Sequence, residues 1–82
     1  KMINPELQLL QRFEKDSKWF HSNTDLLRKN GFMGKIVAIK EGKVISSGEN
    51  MDIVIQSVEK QRENPQFIFM EFVHPAGFTL LL

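Results

Sequence analysis

A chain of 82 residues fits a single domain, residues 1–82, and excludes two separate cores, since domains usually run to roughly 100–200 residues. Its 41% apolar and 26% charged residues, with seven phenylalanines and one tryptophan, exclude a disordered chain and supply the dense packing that so small a domain needs. A formal net charge of +1 argues against a broad electrostatic footprint for nucleic acid or anionic membrane.

The chain has no cysteine, which removes disulfides, thiolate nucleophiles and cysteine-ligated zinc and suits a reducing compartment. No apolar run approaches the roughly 18 residues that span a bilayer, and no apolar signal region follows Lys1. The expectation is a cytoplasmic protein without membrane contact.

Asn4-Pro5-Glu6 opens the first element: Asn4 is an N-cap, Pro5 sits where its missing N–H costs nothing, and Glu6 lies in the first turn. Ile3, Leu7, Leu10, Phe13, Phe20 and Leu27 come next at helical spacing, with Ser17 and Thr24 interrupting the stripe. Ser22-Asn23-Thr24-Asp25 holds residues that favour caps over helix interiors, so the helix should break near Ser22 and restart, closing at Asn30-Gly31.

Between residues 35 and 47 the pattern turns to strand. Ile36-Val37-Ala38-Ile39 and Val44-Ile45 flank Lys40-Glu41-Gly42-Lys43, and the glycine supplies the positive φ of a tight hairpin. Asn50 then caps a helix whose Met51, Val54, Ile55 and Val58 share one face, ending before Asn64-Pro65. Residues 67–73 read as a third strand, apolar except for Glu71 and buried on both faces. His74-Pro75-Ala76-Gly77 reads as a turn, after which residues 78–82 return as a short fourth strand or dock as a tail.

The predicted class is α+β in the order ααββαβ, an N-terminal helix or kinked helix pair, a β-hairpin, a helix and a strand, with a small, mostly antiparallel sheet. A right-handed crossover through the third helix sets the third strand parallel to the second and beside the first, giving the spatial order second, first, third.

Trp19, Leu26-Leu27, the run from Phe32 to Ile39, Gly42-Lys43-Val44-Ile45, Gly48 and residues 67–75 together form a pattern that resembles the domain of unknown function 5678 family of short archaeal and bacterial proteins. The likeness runs from about Phe13 to Pro75. The chain departs from the family in carrying Phe32-Met33 before Gly34 and aliphatic Ile36 after Lys35, where members commonly place an aromatic pair. The resemblance implies a short α+β architecture and a prokaryotic cytoplasm. It brings no catalytic residue, and implies fold roles for Gly34, Gly42, Val37, Ile39 and Val44.

Catalytic and metal chemistry find little support. His21 and Asp25 sit four apart and could offer a nitrogen and a carboxylate, but zinc needs three or four ligands and the break near Ser22 separates even these two. Neither Ser22 nor Ser46-Ser47 lies in a nucleophile elbow. Gly31-Phe32-Met33-Gly34 matches the backbone-clamping Gly-x-x-Gly of KH domains in letters alone, because that loop joins two helices and this one leads from helix to strand. No enzyme, cofactor or metal site is expected.

Two surfaces are the candidates for function. Either the two helical layers cover both faces of the sheet, or both cover one face and Ile36, Ala38, Ile68 and Met70 form an exposed apolar patch on the other. Trp19, Phe20, Phe78 and Leu80 would add contact residues for a homo-oligomer or protein partner. The alternative is a nucleic-acid surface made of the basic residues Lys35, Lys40 and Lys43 with Phe67 and Phe69 as stacking platforms. The expected function is a non-enzymatic protein-interaction module, a homodimer or small subunit of a larger assembly.

Overall fold

The computed structural model describes residues 4–75 and has the α+β architecture. Helix α1 spans Pro5–Ser22, and the Asn4 side chain accepts the Glu6 N–H at 2.9 Å and the Leu7 N–H at 3.2 Å, which satisfies two of the helix's unpaired donors. The break falls at Asn23, one residue after the expected place. The Asn23 Nδ2 donates to the Trp19 carbonyl at 2.7 Å, so this side chain closes α1 instead of capping the next helix. The short α2, Thr24–Leu27, leads into a wide π-helical turn, Arg28–Phe32, which ends through Gly31 at φ 92°.

Strands β1 (Ile36–Lys40) and β2 (Lys43–Gly48) form the hairpin. Glu41 at φ 52° and Gly42 at φ 74° make the two-residue turn whose twist matches paired strands. Helix α3, Met51–Lys60, is capped by Asn50, whose Oδ1 accepts the Ile53 N–H at 3.0 Å. Strand β3, Phe69–Phe72, completes an antiparallel sheet of order β2-β1-β3, the predicted spatial order.

β3 starts later than the sequence pattern suggests. Asn64 accepts the Gln66 N–H at 3.0 Å and caps a short turn at Pro65–Phe67, so Phe67 is turned out of the strand. The fourth strand proposed for residues 78–82 lies outside the described residues.

The helices cover both faces of the sheet, so the core is double. On the α1 side Phe20, Leu27, Val37, Ile39 and Val73 are buried together, with Trp19, Phe32, Val44 and Phe69 against them. On the α3 side Ala38, Val54, Val58 and Ile68 are buried, with Ile36, Ile45 and Met70 beside them. The alternation along β1 sends Val37 and Ile39 to one core and Ala38 to the other. This makes β1 the shared wall of the domain.

A bulge in β2, where the register steps from Ala38↔Ser46 to Ile39↔Val44, leaves Ile45 unpaired. The Gln61 amide, at the end of α3, donates to its carbonyl at 2.7 Å. Ser46 is buried with no hydrogen-bond partner for its hydroxyl; nothing in the structure explains it.

Candidate interaction surface

Of the two arrangements open to the sequence, the helices take the one that covers both faces, which removes the apolar patch of the other. Ala38 and Ile68 are buried, and Ile36 and Met70 are half-buried against the α3 core, because α3 occupies the face that would otherwise be bare. Phe20 is a core residue whose ring lies 5.9 Å from that of Phe69. Trp19 is half-buried over the hairpin turn, where a Cβ on Gly42 would lie 3.5 Å from the indole. Phe78 and Leu80 lie outside the described residues.

The proposed nucleic-acid surface is not gathered into one face. Lys35 precedes β1 and Lys40 ends it, about 17 Å apart at strand rise. Lys40 is paired with Glu63 at 2.6 Å, and Phe69 is packed into the α1-side core. His21 lies edge-on to the Phe20 ring, and Asp25 pairs with Arg28 at 2.8 Å. Among the described residues no group of three potential ligands could hold a metal.

What the structure exposes instead is the outer side of β3 and the part of α1 beside it. An 18-residue helix is about 27 Å long, whereas the five residues of β1 span about 17 Å. The first turns of α1 reach Phe67, with which Pro5, Leu9 and Arg12 line a pocket, and Leu9 is their half-buried residue. Leu7 is 53% and Leu10 63% exposed, although both fit the stripe read from the sequence.

One turn further on, Phe13, Glu14 and Ser17 of α1 line a groove of about 460 Å³ with Ile68, Phe69 and Met70. This groove runs along the free side of β3. The Val73 N–H donates to Lys35 at 2.8 Å and Glu71 pairs with Val37. Backbone groups of residues 73, 71 and 69 therefore face β1, and those of Met70 and Phe72 face outward. No described strand pairs with that side; the Phe72 N–H reaches only its neighbour's carboxylate, Glu71 Oε2, at 3.3 Å.

The two sheet edges differ in protection. β2 carries a bulge, Lys43 and a carbonyl engaged by Gln61, devices that discourage strand addition. β3 has an unbroken register, three large apolar residues and one carboxylate. An edge of that kind is a template for another strand.

A second cleft, beside the hairpin turn, is lined by Arg12, Lys15, Asp16, Trp19, Glu41 and Gly42. Asp16 is 6% exposed and accepts the Gly42 N–H at 3.2 Å, which ties α1 to the turn. Asp16→Ala should lower stability by about 1–3 kcal/mol, the cost of leaving the half-buried Gly42 N–H unpaired, whereas Asp16→Asn keeps an acceptor and should lose less. Urea unfolding of the two variants measures the difference; equal losses would mean that the bond contributes nothing.

Among the described residues no helix is long and apolar enough to cross a membrane. Comparison with family models, curated proteins and solved structures finds no match, so the reading of this surface rests on its own chemistry.

Proposed function

We propose that this chain is a non-enzymatic protein-interaction module, acting as a homodimer or as a small subunit of a larger assembly in the cytoplasm. The observation that carries the reading is the outer side of β3, apolar and unpaired among the described residues, beside the groove that leads to exposed Leu10 and Leu7. Contiguous apolar surface of this kind marks association sites on small domains, and an open edge supplies directional hydrogen bonds that a greasy patch lacks. The resemblance to the domain of unknown function 5678 family adds no catalytic group to this picture.

Light scattering on a gel-filtration column, with absorbance read at two wavelengths, tests the proposal. The expected result is a discrete species heavier than one chain and free of nucleic acid, which Leu10→Glu weakens. A monomer whose excess ultraviolet absorbance disappears with nuclease would replace the proposal with nucleic-acid binding.

A further inference from the structure

The interaction-module reading is the footing for a sharper one. We propose that the occupant of the β3 edge is a second copy of this chain, joined strand to strand in the antiparallel register centred on Met70.

A two-fold axis between identical antiparallel strands sets one residue opposite its own copy and pairs the others symmetrically about it. Only registers centred on Met70 or Glu71 use most of β3, Phe69–Phe72. The Glu71 register places two carboxylates directly opposite each other, which destabilises a strand pair. In the Met70 register the outward N–H and C=O of each Met70 are exchanged with the copy. Phe69 then lies opposite Glu71 of the copy, and Ile68 opposite Phe72. Met70, half-buried, and Phe72, 37% exposed, become part of one apolar row on the α3 side.

The helix layer favours the same occupant. α1 packs over β1 and β3 alike, which puts its axis between them. With strands about 4.8 Å apart, the two α1 helices of such a dimer lie about 10 Å from each other, the separation at which helices pack. The side of α1 facing this gap carries Phe13, Glu14 and the small Ser17, with Leu10 one turn earlier. A foreign extended peptide would cover the edge and leave that helix face bare. A second copy covers both.

The absence of cysteine allows a direct test in the full chain. Across the Met70 register the two Met70 Cα atoms are about 5.5 Å apart, within disulfide reach. The two Glu71 Cα atoms, offset by two residues, are about 8 Å apart, beyond the roughly 7 Å limit. Met70→Cys should therefore give a covalent dimer under mild oxidation and Glu71→Cys should not, with each fold checked by circular dichroism.

The unmodified chain gives a second readout: hydrogen exchange at the Met70 and Phe72 amides should slow about tenfold or more as concentration carries the chain from monomer to dimer. A dimer in which Met70→Cys stays unlinked, or Glu71→Cys links instead, overturns the β3 register and leaves the interaction module standing. A species that remains monomeric overturns the homodimer, and with it the β3 register. A monomer with protected Met70 and Phe72 amides would assign the edge to another segment of the same chain.

Discussion

Ile39→Ala is expected to cost about 2–4 kcal/mol, the range for truncating a large aliphatic side chain in a close-packed core. Ile39 has no exposed surface and sits among Phe20, Leu27, Val37 and Val73. It is held from both sides, opposite Val44 on β2 and Phe69 on β3, so neither neighbour can collapse into the space without breaking its own pairing. A domain of this size has a total stability of about 4–12 kcal/mol, so one truncation removes a large share of it. Urea unfolding monitored by Trp19 fluorescence reads the loss directly, because Trp19 packs against the same cluster. Gln56→Ala, at an exposed position of α3, should change stability by less than about 0.5 kcal/mol and serves as the control. A loss below about 1 kcal/mol at Ile39 would mean that the α1-side cluster does not hold the domain together.

The parts of the fold legible in the sequence are those fixed by local chemistry. Asn4, Asn50 and Asn64 each cap the turn immediately after them, and Gly42 marks the hairpin turn, each through a backbone requirement carried by a single residue. The order of strands was also legible, because connection rules leave few ways to return a strand through one helix.

The surfaces that meet could not be read in the same way. Leu7, Leu10 and Phe13 share one spacing, yet Phe13 reaches the groove beside β3 while half-buried Leu9 takes the inward place in the earlier turns and leaves Leu7 and Leu10 exposed. With 3.6 residues per turn, each step of three falls about 60° short of a full turn, so a run of such steps drifts off the face it began on. Likewise Ala38 and Ile68 look as available for a partner as for a helix, and only the side on which α3 lies decides between the two. The predicted order already set β3 at an edge; its exposure was missed because an apolar run suggests a strand buried on both faces. Here β3 ends the described sheet, and Phe72 is 37% exposed.

Gly48→Ala is expected to cost about 1–3 kcal/mol, through overpacking at the point where β2 passes under the start of α3. A Cβ at Gly48 would lie 2.7 Å from Ile53 Cγ2, 3.1 Å from Ile53 Cβ and 3.2 Å from Val54 Cγ2. The first contact requires movement, and the second belongs to an atom fixed to the helix backbone, so the first turn of α3 must shift away from the sheet. That turn is held by the Asn50 cap at 3.0 Å and by buried Val54, and a shift strains both. Ile53 itself is 48% exposed, so Ile53→Ala alone should lose little. In the Gly48→Ala background the same truncation removes the closest contact and should recover about 1 kcal/mol of stability, a coupling that a double-mutant cycle isolates. Strict additivity of the two changes would show that Gly48 is required for some reason other than the nearness of α3.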